Sequence, residues 1–196
     1  YNGNLPGFLN GRIWQGPSKS ICVPGLNCYS CPGALGACPL GALQSSLSGV
    51  LLRFPFYVLG LMLLFGLLFG RTVCGWLCPF GFIQELLYKI PSPKFTKNKA
   101  TRTLTKLKYI IGLLFVIILP VIFFYVVGVG APAFCKYICP AGTLEAALPL
   151  LSTNPFLKQN LGMLFNWKLF LLLVTVIASI VIYRPFCRFI CPLGAF

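Results

Sequence analysis

Histidine is missing from this chain of 196 residues. Its absence excludes haem held through His, zinc sites that mix Cys with His, and Cys–His or Ser–His–Asp catalysis. Aspartate is missing too, and the two acidic residues are Glu85 and Glu145. Paired-carboxylate catalysis and oxygen cages for hard cations have almost nothing to draw on. Charge of any kind is scarce: 9% of residues are charged, against 58% hydrophobic. A water-soluble domain carries about 25% charged residues. This chain cannot clothe a water-facing surface, which excludes soluble enzymes, soluble binding modules and disordered tails. The first residue is Tyr1 rather than Met and no cleavable signal peptide is recognisable, so we expect a trimmed piece whose native chain continues beyond Phe196.

What charge there is has one sign: 16 Lys and Arg give a formal net charge of +14. In a soluble protein that balance points to nucleic acid. Here the basic residues lie in connections between long apolar runs, which points to a membrane surface and to no nucleic-acid partner. We expect an all-α membrane protein with about three transmembrane helices, since a crossing takes roughly 20 residues. The expected spans are 50–70, 107–129 and 165–184. They sit in a transmembrane domain, 50–196, behind an irregular Cys-rich segment, 1–49, rich in Gly, Pro, Asn and Ser. The first connection holds Arg71, Lys89, Lys94, Lys97, Lys99, Arg102, Lys106 and Lys108, and the tail adds Arg184 and Arg188. The positive-inside rule places that connection and the C-terminus in the cytoplasm. The N-terminal segment and the stretch from Gly130 to Asn166 then face outside. Lys168, just inside the third span, is expected to snorkel.

Ten cysteines remain for chemistry. Three copies of one motif hold six of them: Cys74-Gly-Trp-Leu-Cys78-Pro-Phe-Gly81, Cys135-Lys-Tyr-Ile-Cys139-Pro-Ala-Gly142 and Cys187-Arg-Phe-Ile-Cys191-Pro-Leu-Gly194. A degenerate fourth copy is Cys38-Pro-Leu-Gly41, with Cys31 as its upstream partner. Iron–sulfur ligation wants this pattern. A cubane takes four thiolates, and ferredoxin ligand runs end in C-x3-C-P. The Pro suits the first turn of a helix, so the Cys before it sits where free N–H groups and the positive dipole end face an anionic cluster. The Gly admits a close backbone approach. Short interfacial or re-entrant helices are expected after each CP motif.

One motif supplies two thiolates, so motifs must pair. One span separates each motif from the next, and successive motifs alternate sides. Cys74, Cys78, Cys187 and Cys191 fall together on the inside. Six cysteines fall outside, and the repeat suggests Cys31, Cys38, Cys135 and Cys139 as the ligand set. Cys22 and Cys28 are then alternative ligands or a disulfide, which an outer compartment permits. A self-contained site of Cys22, Cys28, Cys31 and Cys38 is equally open. The halves Cys31–Cys78 and Cys135–Cys191 both run outside to inside, a parallel repeat with a pseudo-two-fold axis along the membrane normal. Two [4Fe-4S] clusters are expected. Because the hydrocarbon core is about 30 Å thick, both must sit deep for electrons to pass between them. Arg71 and Arg184, each three residues before a motif, are expected to flank the inner cluster.

Other readings of the thiols are a zinc site of four thiolates, copper(I), or a membrane thiol–disulfide exchanger. Glu85 and Glu145 suit either a proton relay or a polar helix face. Trp76, Tyr137 and Phe189 recur at one motif position, as cluster shields or as packing.

The repeated C-x3-C-P motifs at Cys74, Cys135 and Cys187, placed at the ends of apolar helices, resemble those of the membrane polyferredoxins. That family includes the quinol-oxidising subunit of periplasmic nitrate reductase systems and the membrane part of nitrous-oxide-reductase regulators. The resemblance covers Cys22 to Phe196. It implies an electron-transfer protein of a bacterial or archaeal cytoplasmic membrane. Such a protein carries [4Fe-4S] clusters between a quinol or cytoplasmic carrier and an outer-face reductase, with flavin- or ferredoxin-containing partner proteins. It implies that Cys74, Cys78, Cys187 and Cys191 match the family's cytoplasmic motif pair. The soluble ferredoxin module with C-x2-C-x2-C-x3-C-P that family members often carry does not occur in these residues.

Overall fold

The long apolar runs become helices here, in which backbone hydrogen bonds are made within the run, with Pro120 the one proline inside Leu107–Val127. The computed structural model describes residues 2–47, 55–70, 72–94, 99–128, 130–154, 156 and 161–195. In chain order the helices are α1 (Leu5–Asn10), α2 (Pro39–Leu47), α3 (Phe56–Phe69) and α4 (Pro79–Tyr88). They continue with α5 (Lys99–Leu104), α6 (Leu107–Val127), α7 (Ala133–Tyr137), α8 (Leu148–Thr153), α9 (Met163–Val181) and α10 (Pro185–Phe189). Among the described residues there is no strand, and an isolated parallel bridge joins Cys22 to Ala37. The all-helical expectation holds.

Two helices, α6 with 21 residues and α9 with 19, are long and apolar enough to cross a membrane. The run at 50–70 forms the shorter α3, of 14 residues, so the expected count of three long spans is corrected to two among the described residues. Part of that expected span, with Arg53 and also Arg71, lies outside the described residues. Only 11% of α6 and 17% of α9 is buried. Leu63, Leu67, Ile117, Tyr125, Phe170 and Ile177 are all exposed. Helices of a soluble core are buried, whereas these turn their apolar sides outward.

Pro120 shapes α6. Its ring and missing N–H disrupt the preceding turn of a helix. The preceding stretch, Gly112–Ile118, is a wider π-type helix, a form that absorbs a missing bond. Against α6 and α9 pack the short helices that follow the CP motifs. One buried cluster holds Leu40 and Leu43 of α2, Phe80 of α4, Val116 of α6, Phe134 of α7, Leu172 of α9 and Phe186 of α10. Phe80 and Phe186 meet edge to face at 5.3 Å. Cys22, Cys38, Cys78, Cys139 and Cys191 belong to the same cluster, so the thiols sit in the core and not in surface loops.

Candidate metal centres

Each C-x3-C-P motif folds the same way locally. The second Cys donates its N–H to the carbonyl of the residue before the first Cys. These bonds are Cys78 to Val73 at 3.1 Å, Cys139 to Phe134 at 2.9 Å and Cys191 to Phe186 at 2.9 Å. This single turn brings both Sγ atoms of a motif to one side. Cys78 then caps α4 with an extended backbone (φ −88°, ψ 113°), and Pro79 occupies the first turn. The Gly of the motif fills a steric need. A Cβ on Gly81 would stand 2.3 Å from the Cys74 carbonyl oxygen, and one on Gly194 would stand 2.9 Å from that of Cys187.

The thiols of the expected inner set, from the two halves of the chain, lie near one another. Cys187 lies close enough to Cys78 and Cys74 to feel their charge. Cys191 lies likewise near Cys187, Cys78 and Cys74. Gln84 of α4 is buried; its Nε2 donates to Cys187 Sγ at 3.2 Å and its Oε1 accepts the Phe186 N–H at 3.2 Å. Arg184 approaches from the chain entering α10. It pairs with Glu85, and a Cβ on Gly75 would sit 3.1 Å from its Nη1. Its φ of +46° is left-handed, an uncommon state for a residue other than Gly. Glu85 is therefore tied up as the partner of Arg184.

Around the expected outer set, Cys28 as well as Cys38 lies near Cys135 and Cys139, a neighbour the repeat alone does not give. Cys139 neighbours Cys135, Cys38 and Cys28, and Cys135 neighbours Cys28. A cavity of about 830 Å³ is lined by Cys22, Cys28, Cys38, Cys135 and Cys139. Cys31 is not among its lining residues; it lies behind Cys28, near Glu145 and Lys19. The reason is local: Cys31 N–H bonds back to the Cys28 carbonyl at 3.0 Å, a tight turn in which Cys28 presents its thiol to the cavity. No disulfide joins any two of the ten cysteines, so the alternative of a Cys22–Cys28 disulfide is not formed. Cys22 is buried beside the bridge to Ala37. Cys38 lies near Cys135, a thiol from the other half of the chain.

Of three polar side chains found around these outer thiols, sequence reasoning gives Glu145 and Lys168 other roles and does not single out Gln44. Gln44 of α2 repeats the geometry of Gln84: Nε2 donates to Cys135 Sγ at 3.5 Å, and Oε1 accepts the Phe134 N–H at 2.9 Å. Glu145 Oε2 accepts the Cys28 N–H at 2.8 Å, and burial pushes its carboxyl up to about 7. Lys168 does not snorkel outward; its Nζ donates to the Cys135 carbonyl at 3.1 Å and lines the cavity. A signal was present in the chain. Gln44, Gln84 and Glu145 each stand six residues after a CP cysteine.

Burial pushes Cys38 and Cys187 up to about 12 and Cys135 up to about 11, with neighbouring thiols adding to the rise. Bare thiolates are thus strongly disfavoured in both sets. A bound cation reverses that logic, so the donor chemistry fits a positively charged iron centre. Among the described residues no group of three Cys or Glu is placed to hold a lone metal ion. The aromatic position of the motif is not uniform. Trp76 is exposed and Phe189 is buried, while the Tyr137 carbonyl accepts the Trp167 indole N–H.

A helical molecule that gathers thiols in two groups, each drawn from both halves of the chain, defines a cysteine-ligand protein. The chain belongs to the 4Fe-4S binding domain family, whose model matches residues 52–98, 110–152 and 166–196. Each matched stretch contains one C-x3-C-P motif. An uncharacterized protein of Methanocaldococcus jannaschii is 33% identical over 137 residues, covering 66% of this chain and 48% of the relative. Protein NirI of Paracoccus denitrificans is 35% identical over 136 residues, 66% of this chain and 17% of the relative. The regulatory protein NosR of Pseudomonas aeruginosa is 32% identical over 138 residues, 66% of this chain and 16% of the relative. The chain thus spans about half or less of the length of these relatives. No solved structure matches it.

Proposed function

We propose that this chain is the membrane-integral electron-transfer part of an oxidoreductase system and holds two [4Fe-4S] clusters. The inner ligands are Cys74, Cys78, Cys187 and Cys191. The outer ligands are Cys28, Cys38, Cys135 and Cys139. Bound there, the clusters supply one-electron oxidation and reduction. The polypeptide does the rest. It excludes water by burial, places helix starts behind the ligands, and sets Arg184 and Lys168 beside thiolates whose charge they offset. We read α6 and α9 as spanning a bacterial or archaeal cytoplasmic membrane, with the C-terminus inside and the shorter α3 packed beside them. The donor is a quinol or a cytoplasmic flavin- or ferredoxin-containing protein, and the acceptor lies at the outer face.

The observation that carries this reading is the closeness of the two sets. Cys78 Sγ of the inner set lies 4.0 Å from the Leu26 carbonyl oxygen, two residues from Cys28 of the outer set. A Cβ on Gly25 would stand 3.3 Å from the Cys78 Cα. The N-terminal segment therefore dips to the inner motif and gives a short, mostly covalent path between the two groups of thiolates. That supports deep placement, which a bilayer about 30 Å thick demands.

Anaerobic purification in detergent tests the proposal. The expected result is a brown protein with iron and acid-labile sulfide near eightfold, the content of two cubanes. Copper or zinc without sulfide, or a colourless protein trapped in mixed disulfides, would replace the proposal with a metal carrier or a thiol exchanger.

A further inference from the structure

Gln44 and Gln84 are the same device at two centres. Each stands six residues after a CP cysteine and is fully buried. Each donates to its own helix, to the Leu40 carbonyl at 3.3 Å and to the Phe80 carbonyl at 3.4 Å. Each reaches into the opposite half of the chain, where a backbone N–H fixes its orientation. The N–H groups of Phe134 and Phe186 can only donate, so they claim Oε1. The NH2 must then face the neighbouring sulfur, Cys135 in one case and Cys187 in the other. The third copy, Glu145, sets a carboxylate oxygen on a backbone N–H in the same way, that of Cys28. An ionised carboxylate has no N–H to offer a sulfur.

We propose that Gln44 and Gln84 are positioning residues that set the reduction potentials of the outer and inner centres through amide-to-thiolate hydrogen bonds. A donor to a ligand sulfur stabilises the more negative, reduced state more than the oxidised one, and so raises the potential. The placement of one amide per centre makes the two potentials separately adjustable. Glu145, lacking the donor when ionised, leaves Cys28 without this support. This inference rests on the two-cluster reading above.

The test is a redox titration followed by electron paramagnetic resonance on the detergent-purified chain and two variants, Gln84→Glu and Gln44→Glu. Each keeps an oxygen for the backbone N–H and, once ionised, has no hydrogen to donate, so potentials are compared on the alkaline plateau of a pH series, with Gln84→Met and Gln44→Met, which add no charge, measured alongside. The expected result is a fall of about tenfold in one reduction equilibrium, ~59 mV for one electron. A different signal should move in each variant, with iron and sulfide content unchanged. Midpoints that stay put with both clusters present, or that move together in either variant, overturn the inference. Where a Glu variant loses its cluster, Gln84→Met and Gln44→Met are read by the same criterion. Loss of the cluster from the Met variant too makes the amide a structural clasp and overturns the tuning role. Absence of iron and sulfide from the unsubstituted chain sinks the two-cluster reading instead, and the inference with it.

Discussion

At the scale of single residues, the thiols are held by neighbours that look ordinary in the sequence. Gly81 is one. Its substitution by Ala forces a Cβ to within 2.3 Å of the Cys74 carbonyl oxygen, a backbone atom that cannot swing away. We expect Gly81→Ala to destabilise the protein by about 1–3 kcal/mol. Iron content should fall by about half as the inner centre is lost, on the cubane stoichiometry. Gly142→Ala is the control, because its Cβ would meet Cys28 Sγ at an ordinary 3.5 Å.

Glu145 makes a second residue-scale prediction. Glu145→Leu leaves the Cys28 N–H without its acceptor, at a cost of about 1–3 kcal/mol, whereas Glu145→Gln keeps an oxygen in place. The carboxyl is raised to about 7 from its ordinary 4.5, chiefly by burial. The folded state therefore binds this proton more tightly than the unfolded state. Its penalty is absent below pH 4.5, grows as pH rises, and is complete above about 7. Unfolding midpoints of the parent and Glu145→Gln chains should diverge in that window, with the variant the more stable above it.

At the scale of elements, the C-x3-C-P turn is a unit, and the helices that follow it differ in what they do next. Pro79 starts α4 with a missing N–H where none is needed. The same residue type at position 120 lies inside α6, and a π-type stretch precedes it. α9 shows an apolar, outward-facing surface interrupted near its start by Lys168, which turns into the outer centre. If lipid covers that surface, Leu173→Arg, at an exposed position near the middle of α9, should cost about 2.5–3.5 kcal/mol of insertion. A glycosylation-mapping assay of α9 insertion reads this: the Arg variant inserts less well than the parent by about tenfold or more, and Leu173→Ala inserts close to it.

At the scale of the whole molecule, the proposed ligand sets are products of chain closure. Residues 109 apart in sequence, Cys78 and Cys187, come together, and so do Cys28 and Cys135. Cys28→Ser is expected to halve the iron by removing an outer ligand, while Cys31→Ser, one turn behind it, leaves iron and sulfide near eightfold. Equal losses from both would return Cys31 to the ligand set.

Much of this was legible in the sequence. Apolar runs of spanning length, in a chain with 9% charge, point to an all-helical, apolar molecule. The repeated motif announces thiolate chemistry, because C-x3-C-P is a local turn whose geometry needs only its own residues. The inner partnership is an expectation from alternation across three spans, and the structure brings those thiols near one another with two long apolar helices. Other features needed the tertiary structure. Spacing could not separate Cys28 from Cys31, because the two differ by one tight turn and the choice belongs to what stands opposite. Lys168 reads as a snorkelling cation, and only the position of the Cys135 carbonyl turns it inward. Local rules determined which thiols share a turn; long-range packing decided which turns lie near one another, because distance across a folded core is not a property of any short stretch of chain.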